Sequence, residues 1–233
     1  LDVDTITMAD GTAWTNNATL TIDPGGLFTT GTLSTPPTVT NNGLLQTDFG
    51  NMPVEVDLVN NSEFRIRATV TVTGAFTNAA SGTISGTGQL DWSGASAVAN
   101  NGTFAPGRPD VPYALLGVVG DVVMNANTTL AIEGAPGYGD VDELEVDGAV
   151  ALDGTLDLSL DDVPLGSYEI VTLDYSSSET ITGTFGQVSV PSGYATSLTY
   201  NSDNVTLDIT GTPYPLLEAS LTDIDFNNAE VGG

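Results

Sequence analysis

The sequence predicts an all-β chain folded as a right-handed parallel β-helix, a β-solenoid of stacked coils. Short runs alternate apolar and polar residues, as in residues 68–72, so that each run buries one face. Turn-forming pairs separate these runs at intervals of roughly 18 to 25 residues, the length of one coil, and helix signals are nearly absent. A lone five-residue strand cannot bury its apolar face, whereas stacked coils give each strand a neighbour about 4.8 Å away.

Asparagine pairs mark the predicted corners of the coils. The clearest copies are Asn41-Asn42-Gly43 and Asn100-Asn101-Gly102, with related pairs at Asn16 and Asn60. In each copy a polar pair turns the chain and an apolar residue follows, and asparagine tolerates left-handed backbone at modest cost. The pair Asp153-Gly154 is instead typical of a two-residue hairpin. We therefore expect one local antiparallel pair there.

The composition excludes several functions. The 233 residues include 30 acidic residues, three arginines and no histidine, lysine or cysteine, which gives a formal net charge of -27. Such a chain cannot neutralise a row of phosphates, so nucleic acid is excluded as a partner. Ser-His-Asp and Cys-His catalysis and typical zinc sites need residues that are missing here. Because these residue types are missing, we expect that the protein is not an enzyme. No run is long and apolar enough for a membrane-spanning helix, so we also expect no membrane insertion.

The densest group of acids is the only candidate metal site. It comprises Asp140, Asp142, Glu143, Glu145 and Asp147. Calcium is the candidate cofactor, because it takes about six to eight oxygen ligands. Alternation along a strand would place Asp142 and Glu143 on opposite faces, and the other interpretation is a solvated strand edge that resists aggregation. The overall acidity likewise has two explanations, a saline or calcium-rich habitat in which salt screens repulsion, and specific cation binding.

The character of the chain changes near Gly102, and the segment that follows resembles a known family. Its motifs are GTFAPG at 102–107, LGVVGDVVMNANTTLAIEG at 116–134, GYGDVDELEVDGAVALDGTLDLSL at 137–160, GSYEIVTLD at 166–174 and ITGTFGQV at 181–188. In this order they resemble the C-terminal part of an autotransporter-type passenger β-helix, over residues 102–209. The resemblance implies a parallel β-helix displayed outside the cell. It carries over no catalytic residues, and the family includes adhesins and structural stalks.

A second resemblance concerns the end of the chain. The segment LEASLTDIDFNNAEVGG at 217–233 resembles the first strands of a bacterial immunoglobulin-like surface domain, with Pro213 and Pro215 in the linker before it. The expected organisation is therefore a β-solenoid over residues 1–210, with looser coils at 1–101 and passenger-like coils at 102–210. Residues 211–233 would form a linker and the start of a sandwich-like domain.

These observations predict a non-catalytic extracellular module, acting as a stalk, a filament subunit or an adhesin of a larger secreted surface protein. Its expected partners are other copies joined end to end or neighbouring domains of the surface protein. Two alternatives stay open. One is a carbohydrate-binding or carbohydrate-cleaving β-helix, which requires an acid-lined groove with exposed aromatic residues. The other is a calcium-stabilised binding module.

Overall fold

The computed structural model describes residues 1–29, 34–107, 114–134, 140–174 and 178–212. Within these ranges the chain forms 25 β-strands. No helix that could cross a membrane occurs in this described part of the chain. The predicted linker and immunoglobulin-like start lie outside it from residue 213 onward.

Most strands are only three to six residues long, and they follow one another around the coils. The first thirteen are β1 (Asp2–Met8), β2 (Ala13–Asn16), β3 (Thr19–Thr29), β4 (Thr38–Asn41), β5 (Leu44–Thr47), β6 (Asn51–Val54), β7 (Asp57–Asn60), β8 (Glu63–Ile66), β9 (Thr69–Val72), β10 (Ala75–Asn78), β11 (Thr83–Gly86), β12 (Gln89–Asp91) and β13 (Ala97–Asn100). The others are β14 (Thr103–Pro106), β15 (Leu115–Val119), β16 (Val122–Val123), β17 (Thr129–Gly134), β18 (Glu143–Asp147), β19 (Val150–Leu152), β20 (Thr155–Leu160), β21 (Gly166–Leu173), β22 (Ile181–Gly183), β23 (Gln187–Ser189), β24 (Ala195–Tyr200) and β25 (Asn204–Gly211).

The coils have three faces, and each strand pairs in parallel with the equivalent strand of the next coil. The first face holds β2, β4, β7, β10 and β13, followed by β16, β19 and β22. The second face is one unbroken ladder of β3, β5, β8, β11, β14, β17, β20 and β23. The third face holds β6, β9, β12, β15, β18 and β21. The predicted parallel β-solenoid is thereby confirmed.

The core lies inside the three faces, because alternate residues of each strand point inward. The strands of the early coils show this alternation directly, with the second and fourth residues buried. A row of aromatic rings fills the axis between Phe64, Phe76, Trp92 and Phe104, with centroids 5.8 to 6.2 Å apart. Each coil thus shields the apolar row of the next one.

The hairpin predicted at Asp153-Gly154 is wrong. The flanking strands β19 and β20 do not pair with each other, since each joins a parallel ladder on a different face. The pair instead forms a corner between the first and second faces, where Gly154 takes a positive φ of 70°. A Cβ atom there would lie 2.2 Å from the Thr128 carbonyl oxygen of the coil below. Close stacking of corners explains the glycine, and no hairpin is needed.

The two ends of the described stack differ. At the N-terminal end, β1 pairs only with β3 and β2 only with β4 among the described strands. At the other end, β25 lies antiparallel on β21, and β24 lies antiparallel on β25. This antiparallel pair extends the third face beyond β21, and β24, which has one described neighbour, is the outermost strand on that side.

Candidate functional site

The five acids of the predicted metal site lie on two sides of the wall. Asp142 is buried and Asp140 is half-buried before β18, whereas on the outer surface of β18 Glu143 and Glu145 are half-buried and Asp147 is exposed. The alternation predicted for Asp142 and Glu143 is therefore confirmed. In the described part of the chain, no three acidic side chains come together as a metal-binding group.

Asp142 binds backbone groups of its own coil and the coil below. Its Oδ1 accepts a hydrogen bond from Ala114 N–H at 2.9 Å, and its Oδ2 accepts one from Glu133 N–H at 3.3 Å. Burial raises the pKa of Asp142 to about 7, although the two N–H donors oppose the shift. Its carboxyl group therefore links the backbone at Ala114 to the backbone at Glu133, which is a structural role.

The other acids border an open groove on the third face. The groove has a volume of about 480 Å³ and is lined by Glu143, Glu145, Glu169, Thr172, Leu173, Asp174, Glu179, Asp203 and Asn204. Glu143 accepts a hydrogen bond from Thr172 Oγ1 at 2.5 Å, and partial burial together with neighbouring carboxylates raises its pKa. None of the groove's lining residues is aromatic. Calcium binding by the predicted acids stays a prediction.

The two described arginines have acidic partners. Arg65 forms an ion pair with Glu63 at 2.8 Å, as expected for residues on one strand. Arg67 pairs with Asp48 at 2.7 Å, one coil below. Arg108 lies outside the described residues.

A ladder of buried asparagines runs up the first face. Each is the last residue of its strand, and each of the first four donates from Nδ2 to Oδ1 of the next at 2.8 Å: Asn16, Asn41, Asn60, Asn78 and Asn100. The first three also donate to a backbone carbonyl of the coil above. Stacked amides that use both hydrogens fix the register of successive coils. The asparagine pairs of the sequence are therefore register marks as well as turns.

The first face is split above Asn100. In the described part of the chain, β13 pairs only with β10 and β16 only with β19, so the ladder is interrupted between β13 and β16. The corner before β13 spans residues 92–96, whereas the corresponding corner before β16 spans only 120–121. The ring of Trp92 occupies the wall at this point, and its Nε1 donates to Asp121 O at 3.2 Å. The longer corner and the indole together hold the two strands apart.

This split opens a cleft of about 430 Å³. We call it the split-face cleft, and it is lined by Trp92, Ser93, Val98, Asn100, Phe104, Gly120, Asp121 and Val123. Trp92 and Phe104 form its floor and are almost fully buried, whereas Val98 and Val123 on its two lips are 41% and 61% exposed. Its volume falls within the usual range for ligand sites, and it combines an apolar floor with a few polar groups.

Asn100 ends the asparagine ladder inside this cleft. Its Oδ1 accepts from Asn78 Nδ2 at 2.8 Å and from Gly102 N–H at 3.3 Å, so the remaining amide atom is the nitrogen donor. Asn100 is only 8% exposed, yet its Nδ2 has no hydrogen-bond partner within the described structure. A buried donor without an acceptor is costly, typically by about 1–3 kcal/mol. This nitrogen is therefore the polar side-chain atom of the cleft lining that lacks a partner in the described structure.

Both lips of the cleft carry free backbone groups. Asn101 N–H donates to Asn78 O at 2.9 Å, so alternate residues of β13 face β10 and Val98 directs its N–H and C=O toward the cleft. On the other lip, Val122 and Met124 donate toward β19 at 2.9 Å, so Val123 directs its backbone groups back toward β13. Neither β13 nor β16 has a described ladder partner on this side.

The sequence interpretation did not predict the split-face cleft, although a signal was present. In the neighbouring coils, the corners that lead into the first face are two residues long, as at 55–56, 73–74 and 120–121. The run Trp92-Ser93-Gly94-Ala95-Ser96 is three residues longer, and it contains one of only two tryptophans. Comparison with family models and with curated proteins found no match for this chain.

Proposed function

We propose that this chain is a non-catalytic extracellular module that serves as a stiff segment of a stalk, filament or adhesin of a larger surface protein. The observation that carries the proposal is the unbroken second face, on which eight strands pair in parallel. At about 4.8 Å per step, this ladder is about 34 Å long. A continuous wall around an apolar core suits a spacer that transmits tension.

We expect end-to-end assembly, with another copy or with a neighbouring domain, to use the strand edges at the ends of the described stack. The strands β1 and β2 each have one described neighbour, so their outer edges offer backbone groups for pairing. The net charge of -27 opposes contact between copies at low salt, and this repulsion weakens as salt is added. Assembly is therefore expected to increase with ionic strength.

Single-molecule pulling through handles at both ends tests the stalk role. A stalk segment should stay folded at low force and then unfold in one or a few cooperative steps, because its coils share one core. Gradual lengthening from the lowest forces would contradict the proposal. Sedimentation and electron microscopy at high protein and salt concentrations test assembly, and monomers alone under these conditions would argue against the filament form.

The carbohydrate alternative is supported by one observation, the acid-lined groove at Glu143, Glu145 and Glu169. Its second requirement, exposed aromatic residues along the groove, is not met by the lining residues. A glycan array combined with a reducing-sugar assay separates the two functions, because a stalk should be silent in both. Sugar release that is lost in Glu143→Gln and kept in Asp147→Asn would favour the alternative.

A further inference from the structure

We propose that the split-face cleft binds an extended peptide strand, which pairs with the free edge of β13 and places small apolar side chains against the exposed edge of Trp92. This goes beyond the proposed stalk function and does not depend on it. The site lies in the side wall of the solenoid, where it stays accessible when copies or domains join at the ends.

Hydrogen bonding is the first reason for an extended peptide. The two lips present the N–H and C=O groups of Val98 and Val123, which belong to strands of a parallel face interrupted at this point. A strand added to an open sheet edge satisfies such groups through its own backbone, and side-chain pockets then provide selectivity. At the closed end of the cleft, Asn125 Nδ2 already donates to Asn100 O at 2.8 Å. The peptide therefore enters from the side of Trp92 and Asp121.

The end of the asparagine ladder is the second reason. Each lower asparagine donates to an oxygen of the coil above, and Asn100 alone has an Nδ2 without an acceptor within the described structure. A peptide carbonyl at this position would take the place of the missing Oδ1. The peptide would thus complete the ladder at the point where this chain leaves it open.

The apolar floor of the cleft and the negative charge around it determine which side chains the peptide should carry. Trp92 is 4% exposed, so it offers an edge for small aliphatic groups and no open ring face for sugar stacking. Asp121 lies on the rim, and the chain as a whole carries a net charge of -27. An apolar-polar strand with basic flanks complements both features, whereas a second copy of this acidic chain would be repelled.

The test uses an acetylated and amidated peptide of sequence Lys-Val-Thr-Val-Thr-Lys. In a Trp14→Phe background, Trp92 is the only tryptophan, so its fluorescence reports on the cleft. We expect saturable binding with Kd below about 1 mM at 0.5 M salt, where surface charge is screened. Amide NMR should show the largest shifts at Val98 and Val123. A peptide of the same charge with N-methylated alternate bonds should bind at least about tenfold more weakly.

Two variants locate the binding. Val98→Pro removes an N–H from the free edge of β13, and Val188→Pro is its matched control. Val188 is also 41% exposed, and it also lies on a strand, β23, that has one described neighbour. Asn100→Asp keeps both bonds accepted by Oδ1 and removes the free donor. We expect Val98→Pro and Asn100→Asp each to weaken binding about tenfold or more, and Val188→Pro to leave it unchanged.

Thermal melting of each variant confirms that it is folded, and Asn100→Asp keeps the test open if Val98→Pro does not fold. The proposal is overturned by an absence of binding at 0.5 M salt, by equal binding of the N-methylated peptide, or by wild-type affinity in Asn100→Asp. Binding without any shift at Val98 or Val123 would also overturn it, because the peptide would then sit elsewhere on the acidic surface.

Discussion

The coils below the split-face cleft and those above it keep their register by different means. From β2 to β13, one asparagine per coil occupies the same buried corner and bonds to the asparagine of the next coil. Above the cleft this ladder stops, and the buried Thr128 donates from its Oγ1 to Asn100 O at 3.3 Å. The upper coils have longer strands, such as β17 and β20, which pair over six consecutive residues.

The difference shows that register in a solenoid has two sources. Short strands of four residues carry few backbone bonds, so a repeated side-chain amide supplies the missing specificity. Longer strands fix the register through their own ladders and apolar alternation. The split-face cleft lies where the asparagine ladder ends and the longer backbone ladders begin.

The largest effect is expected from breaking the ladder in its middle. Asn60→Ala removes bonds to Asn41, Asn78 and Thr83 O and leaves buried amide groups without partners. We expect a loss of about 3 kcal/mol in the free energy of unfolding, measured by urea titration. The control is Asn61→Ala, whose amide makes an exposed bond to Asn42, and it should cost less than about 1 kcal/mol. Equal losses would show that the ladder does not set the register.

The packing of Trp92 at the split-face cleft can be tested at Gly120. This glycine has a φ of 114°, and a Cβ atom there would lie 2.5 Å from Cδ1 of Trp92. Gly120→Ala should therefore lower the free energy of unfolding by about 1–3 kcal/mol and shift the Trp92 emission. Gly94→Ala is the control in the same corner region, since the nearest atom to its Cβ would be 3.9 Å away. A stable Gly120→Ala variant with unchanged emission would contradict the packing described for the indole.

The upper coils should respond to pH through Asp142. Burial raises its folded-state pKa to about 7 from the ordinary value of 3.8, so the folded chain keeps a proton that the unfolded chain has released. Its contribution to stability is therefore greatest below about pH 4 and is lost as the pH rises through 7. In Asp142→Asn, the fall in unfolding free energy between pH 4 and 7 should be smaller than in the wild type. Parallel pH profiles for the two proteins would refute this role.

The smallest effect is expected from calcium. Asp142 is buried and bonded to backbone N–H groups, so only the outer members of the predicted acid group are free to approach a cation. We expect calcium and magnesium at equal concentration to raise the melting temperature by similar small amounts, through screening. A calcium-specific rise that chelator reverses and Glu143→Gln abolishes would instead establish the predicted calcium site.

Sequence pattern was sufficient for the fold because periodicity is local information. The alternation at residues 68–72 places Val70 and Val72 inward, and the asparagine pairs mark corners at the right intervals. The hairpin at Asp153-Gly154 was wrong because turn chemistry alone does not distinguish a hairpin from a solenoid corner. The cleft was not predicted because it depends on how one longer corner aligns with the coil above it, which is a relation between residues 29 positions apart.

The amides of the asparagine ladder all point the same way. Each internal asparagine accepts at Oδ1 from the asparagine below and donates from Nδ2 to the asparagine above. With respect to this ladder, one coil is therefore interchangeable with its neighbours. Excising residues 61–78 would place Asn60 directly beneath Asn100 and remake the same bond. Repeating that stretch would extend the wall by one layer. Evolution or an engineer can therefore adjust the height of this part of the molecule in whole layers, while both terminal structures stay as they are.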